Sequence, residues 1–256
     1  TSMGVEALQI PMFGLYGACS TSGEALALAS MSAAAGYGGT MIAVTSSHFG
    51  SAEKEFRFPL GYANQRPLSS HWTVTGSGAF LVQSAEEYRK QNTKSYFSNI
   101  RITGVTVGKI VDYGLKDSQN MGACMAPAAM DTIVQNFQDM ERKEKDYDRI
   151  ITGDLGSIGR TILFDLIREK GYDICEKHMD CGMTIFDKER QDTHAGGSGC
   201  GCAAVTLASY VLPKLEKGEW KRVLFVPTGA LMSTVSFNEG ASVPGIAHGI
   251  VLESDA

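Results

Sequence analysis

A cysteine that follows a strand and immediately precedes a helix is placed to act as a nucleophile, and the pattern around Cys19 predicts such a turn. There the thiol meets the positive end of the helix dipole and free backbone N–H groups, both of which favour thiolate. A blander reading stands beside it: a small residue tolerated at a tight turn. A nucleophile needs a base and an oxyanion site as well, so other residues must choose between the two.

The segment has a near-copy downstream. Residues 14–46 read Gly-Leu-Tyr-Gly-Ala-Cys19-Ser-Thr-Ser, then a small-residue run, then the β-rich stretch 40–46. Residues 195–229 read Ala-Gly-Gly-Ser198-Gly-Cys-Gly-Cys, then a second such run, then the β-rich stretch 222–229. A shift of 198 − 19 = 179 places Cys19 on Ser198 and Leu26-Ala-Leu-Ala-Ser30 on Val205-Thr-Leu-Ala-Ser209. Only the first copy has cysteine at that position. An echo at this range implies a duplicated supersecondary unit. Duplication would bring both helix starts together at the centre, where their N–H groups and positive dipole ends suit an anion.

The elements that must position these residues follow from periodicity. Helices are predicted over 21–35, 126–140, 158–170 and 203–217, the first and last almost free of charge and so buried on most sides. Strands are predicted over 11–16, 40–45, 79–83, 102–107, 147–152, 223–227 and 245–252. Strands alternating with helices argue an α/β protein with mainly parallel pairing. Residues 109–125 and 187–192 read as loops. No Pro/Gly/Ser-rich linker divides the chain, so the halves, 1–125 and 126–256, are expected to share a core. The start, Thr1-Ser-Met-Gly, runs almost directly into apolar 10–15, which suggests that an N-terminal part is missing.

Composition removes several classes of function. A net charge of −5 gives no electrostatic case for nucleic acid, and no run reaches the ~18 apolar residues of a membrane span. Six irregularly spaced cysteines in 256 residues read as reduced thiols. Cys175-x2-His178-x2-Cys181, with Cys200 and Cys202 beyond, is a zinc pattern of unusual spacing, and a chance cluster explains it better. The glycines of 195–201 lack the Lys-Ser/Thr ending of a phosphate loop, so close packing is the better account of them.

Gly17-Ala-Cys19 and Ala195-Gly-Gly-Ser-Gly-Cys, each before a small-residue helix, and Pro227-Thr-Gly229-Ala resemble the thiolase and ketoacyl synthase superfamily. More closely, Tyr16-Gly-Ala-Cys-Ser-Thr-Ser22, Ala43-Val-Thr-Ser-Ser-His48, Phe56-Arg-Phe-Pro59, Thr73-Val-Thr-Gly-Ser-Gly-Ala79, Thr152-Gly-Asp-Leu155, Asp180-Cys-Gly182 and Ile246-Ala-His-Gly249 resemble the stage V sporulation protein AD family. The resemblance spans essentially the whole chain. It implies a thiolase-like fold of two duplicated βαβ-containing halves in five layers, α-β-α-β-α, with roughly the first quarter absent. It also implies binding of dipicolinic acid (pyridine-2,6-dicarboxylate) and its passage into the developing spore, with other proteins of a spore channel complex. Synthesis in the cytoplasm of a spore former, peripheral association with the spore inner membrane through partners, and a homodimer are further implications.

Condensing enzymes of this fold set the cysteine against a His/Asn pair. By resemblance the first partner falls at Asp154, and the second falls in 195–198, where neither His nor Asn stands and His194 comes just too early. The second cysteine used by thiolases is missing from Val226-Pro-Thr-Gly229. A carboxylate facing Cys19 would oppose thiolate formation, so Cys19 is expected to be a pocket wall and no residue catalytic. The rival reading is an acyl-transfer or condensing enzyme with Cys19 as nucleophile; a third is an assembly scaffold with an empty pocket. The expected ligand-binding set is Cys19, Ser20, Ser47, His48, Arg57, Asp154 and Ser198. Arg57 offers a planar fork for a carboxylate, with a solvated loop charge as its alternative, and His48 could equally be structural. No resident metal or cofactor is expected. Asp154 would repel a bare dicarboxylate, and calcium entering with the ligand would reverse that objection.

Overall fold

The computed structural model describes residues 2–56, 66–91 and 100–255. Its centre is a five-stranded sheet in the order β4-β11-β8-β5-β6, formed by β4 (Ile100–Thr106), β5 (Arg149–Thr152), β6 (His178–Asp180), β8 (Arg222–Val226) and β11 (Gly249–Ser254). Alternation along these strands buries both faces. Leu224, Val226, Ile150 and Val251 join one apolar cluster, while Val223, Phe225, Ile151, Ile250 and Leu252 join another. Because successive side chains of a strand point to opposite faces, a sheet read this way must lie between two layers.

The first cluster is covered by α2 (Met121–Asp139) and α3 (Gly156–Glu169), the second by α1 (Thr21–Ala34) and α4 (Cys200–Thr206). Beyond α1 and α4 lies the antiparallel pair β1 (Thr40–Ser47) and β3 (Gly76–Gln83), whose Ala43 packs into the second cluster. The described residues thus build four of the five expected layers. The outer face of this pair carries the cross-strand partners Ile42 and Leu81, 42% and 65% exposed. A short parallel pair, β2 (His71–Thr73) with β7 (Gly196–Ser198), ties the two copies together, and β9 (Thr228–Ala230) with β10 (Gly245–Ala247) forms a small antiparallel ribbon.

The duplication survives in the geometry. Helices α1 and α4 begin at Thr21 and Cys200, and 200 − 21 = 179; strands β1 and β8 end at Ser47 and Val226, and 226 − 47 = 179. Each copy therefore runs helix, strand, antiparallel strand, with the shift read from sequence.

Three expectations change. The pairing is mixed: β5 runs parallel to β6 and β8, whereas β11 runs antiparallel to β4 and β8. Residues 11–16 are not a strand, and Phe13 stands 84% exposed, because an extended run becomes a strand only where another strand offers its edge. Helix α2 starts five residues before the expected Ala126, capped by Asn120, whose Oδ1 accepts from the Ala123 N–H at 3.3 Å. Tertiary packing decides that extension, since α2 crosses α3 where Gly122 meets Gly159. A Cβ on Gly122 would sit 2.4 Å from the Leu155 carbonyl oxygen.

Candidate functional site

Cys19 sits at a tight turn entering α1. Ala18 adopts φ 50°, the left-handed region that a residue with a Cβ occupies at a cost, and the turn closes through Ser20 N–H to the Gly17 carbonyl at 2.9 Å. The Ser20 hydroxyl, fully buried, donates to the same carbonyl at 2.6 Å, and the Thr21 hydroxyl donates to Ala18. Gly229 of β9 presses against this turn: a Cβ there would lie 2.3 Å from the Gly17 oxygen and 3.3 Å from the Cys19 nitrogen. Only glycine fits so close an approach, which ties the turn of the first copy to the strand end of the second.

Asp154, two residues past the end of β5, is the hub. One carboxylate oxygen accepts from the Gly199 N–H at 2.8 Å, the other from the Thr228 hydroxyl at 2.9 Å, and the Cys19 thiol donates to the same carboxylate. Burial raises its pKa from 3.8 to about 7, overcoming the bonds from Gly199, Cys19 and Thr228 that would lower it; the charge of Asp180 pushes the same way as burial. The Cys19 thiol is pushed well above its ordinary range by burial first and by Asp154 next. The carboxylate that faces Cys19 holds it protonated. This is the opposite of the action of an imidazolium on a catalytic cysteine.

A second buried carboxylate backs the first. Asp180 accepts from the Thr152 hydroxyl at 2.7 Å and from the N–H groups of Leu155, Gly156 and Met183 at 2.9, 3.2 and 3.1 Å. These bonds hold the chain on either side of Asp154. Asp180 was visible only as part of a motif; its orienting role needed the fold.

The expected ligand set divides. Cys19, Ser20, Asp154 and Ser198 converge where the two helices begin, with Ser198 buried on β7 next to Gly199. Ser47 reaches the same region, but its hydroxyl accepts from the Gly201 N–H at 3.1 Å and donates to the Val74 carbonyl at 2.7 Å. His48 lies just past β1, and its Nδ1 accepts from the Gly50 N–H at 3.1 Å in a local turn. Arg57 lies outside the described residues. His194 is turned elsewhere, bonded to the Pro67 carbonyl at 2.8 Å and to Asp192.

The anion reading of the helix starts needs correction. The N–H groups of Gly199 and Gly201 at the start of α4 already have internal acceptors, Asp154 and Ser47. The zinc pattern also comes apart. Among the described residues no group of three His, Cys, Asp or Glu could hold a metal ion. Cys175 accepts from Arg168 at the surface, while Cys181 is buried in the second cluster. The glycines of 195–201 are packing devices, as expected: a Cβ on Gly201 would be 2.6 Å from the Gly76 oxygen, and one on Gly197 2.8 Å from Ile185. Among the described residues no helix is long and apolar enough to cross a membrane.

A layer of two buried helices between two sheets, with a cysteine turn facing a polar hub from the second copy, defines a protein of the thiolase fold. Solved condensing enzymes share it. The tetronic acid condensing enzyme AbyA1 superposes with a TM-score of 0.63 over 99% of this chain and 73% of its own, at 13% identity. The 3-oxoacyl-[acyl-carrier-protein] synthase III of Aquifex aeolicus VF5 gives 0.55 over 98% and 70%, at 12% identity. Such identities speak for the fold alone. The family is settled by sequence: the stage V sporulation protein AD model matches residues 1–253, and the chain belongs to that family. It is 43% identical over 246 residues to the stage V sporulation protein AD of Bacillus subtilis (strain 168), covering 96% of this chain and 69% of that protein.

Proposed function

We propose that this sporulation protein is a non-catalytic member of the thiolase fold that binds dipicolinic acid and supports its uptake into the developing spore. Uptake would proceed through a membrane channel complex with which the protein associates peripherally. The observation that carries the non-catalytic half is the Cys19–Asp154 pair. Burial and the facing carboxylate keep the thiol protonated, so the site lacks the thiolate with which condensing chemistry begins. Support for the ligand comes from the family. Asp154 contributes one physical feature: once protonated below about pH 7, its carboxyl would cease to repel a dicarboxylate brought to this turn and could donate a hydrogen bond to it. Calcium carried with the ligand would serve the same end above that pH by screening Asp154.

Calorimetric titration with dipicolinate, with and without calcium and with benzoate as the control anion, tests this reading. Saturable one-to-one binding that benzoate cannot match is the expected result. Absence of binding under both conditions, together with an acyl adduct on Cys19 after incubation with acyl-CoA, would overturn it in favour of an enzyme. Absence of both would leave the scaffold.

A further inference from the structure

We infer that the protein carries a second ligand site, remote from Cys19 in sequence and lying over the edge strand β6, for a small phosphate-type oxyanion. A cleft of about 410 Å³ opens there, bordered by Arg149, Arg160, His178, Lys214 and Trp220. That volume falls in the range of small-molecule sites, which orient their ligand with a few converging polar groups. Three cations converge on it from three elements. Arg149 comes from the start of β5, Arg160 from α3, and Lys214 from the helix Leu212–Glu216, α5.

The cations are presented rather than consumed. Arg160 lies over the Phe164 ring at 5.1 Å and has no ion pair among the described residues. Arg149 gives one N–H to the Asp148 carbonyl and rests 5.4 Å from the Trp220 ring centre, which fixes the guanidinium and leaves its other donors. Lys214 shares the same ring at 5.4 Å while pairing with Glu219 at 2.6 Å, so it is the one cation whose charge is already met. The carboxylate that borders the cleft, Asp180, does not oppose an anion strongly, because its oxygens are taken by four inward donors. A positive cleft without an unpaired carboxylate attracts an oxyanion, and arginine forks match phosphate in particular.

His178 forms part of the wall of the cleft, with neither ring nitrogen turned out to it. The Thr152 hydroxyl donates to Asp180, so at 2.9 Å from His178 Nε2 it accepts from that nitrogen and fixes the tautomer. Nδ1 is then an acceptor, and it is buried without a partner.

The test uses the folded protein with Trp72→Phe, leaving Trp220 as the sole indole, and follows its fluorescence on addition of inorganic phosphate, glycerol phosphate or chloride. Saturable quenching by phosphate below about 1 mM, at least tenfold tighter than by chloride at matched ionic strength, is expected. Glycerol phosphate separates a free ion from an ester: tighter binding of either phosphate supports the site and names its source. Arg160→Gln, checked for an unchanged urea midpoint, should weaken phosphate at least tenfold while leaving dipicolinate binding as it was. Equal response to chloride, no saturation, or indifference to Arg160→Gln would overturn the inference. Loss of dipicolinate binding alone would bear only on the Cys19 site.

Discussion

Replacing Asp154 by asparagine should stabilise the protein above neutral pH and do so progressively less as the pH falls. The side chain is fully buried, and burial raises its pKa from 3.8 to about 7. Between those values the folded state holds a proton that the unfolded chain releases, so stability falls as pH rises through the window. At 1.36 kcal/mol per pH unit, the charged carboxylate costs the folded state about 4 kcal/mol above pH 7. Asparagine keeps an oxygen for the Gly199 N–H and can donate to the Thr228 hydroxyl oxygen, so it removes the charge with little change of shape. The stability gap between variant and parent should therefore widen by about 3 kcal/mol between pH 5 and pH 8. Urea midpoints at several pH values measure that gap. Taking the difference matters because His178, with a pKa lowered by burial and by Arg160 from 6.5 to about 3, contributes the opposite slope at acid pH in both proteins. A gap that stays constant across the range would refute the assignment of a buried, proton-binding carboxyl to Asp154.

Other outcomes follow from the same contacts. Cys19 should alkylate slowly at pH 8 and at least about tenfold faster in Asp154→Asn, because the variant lacks the carboxylate that opposes its thiolate; peptide mass spectrometry reads the rate. Dipicolinate, without calcium, should bind more tightly as pH falls through about 7, and Asp154→Asn should flatten that dependence in calorimetry. Tyr147→Phe leaves buried Asn136 without the hydroxyl that donates to its Oδ1 at 2.7 Å and should cost about 1–3 kcal/mol in urea unfolding. Gly229→Ala places a Cβ against the Gly17 carbonyl, so it should destabilise by about 1–3 kcal/mol and open the Cys19 turn to alkylation.

How much of this was legible in the chain differs by feature. The 179-residue echo is a local matter of composition and order, and it holds between the two helix starts and the two strand ends, although the second helix was expected at 203 rather than Cys200 and the strands were expected to end at 45 and 227 rather than at Ser47 and Val226. The motifs around Cys19, Asp154 and Ser198 carried the fold family, because close-packed glycines and a turn cysteine tolerate few replacements. Pairing direction was not legible: hydrophobic alternation in 245–252 is the same whether a strand runs parallel or antiparallel, and only the neighbouring edge decides. The start of α2 was hidden because nothing local in 121–125 marks a helix, whereas packing of Gly122 on Gly159 carries the helix back to Met121, with Pro127 inside it.

The sequence by itself determined the duplication, the buried helices and the motif that carries Asp154. Tertiary structure alone decided what those residues do to one another. It spent the free N–H groups of α4 on Asp154 and Ser47, turned His194 away to Pro67, and gathered Arg149, Arg160 and Lys214 over β6 from positions up to 65 residues apart, since 214 − 149 = 65. The physical reason is that hydrogen-bond satisfaction and desolvation depend on what surrounds a group in space, and neither is encoded by its neighbours in the chain.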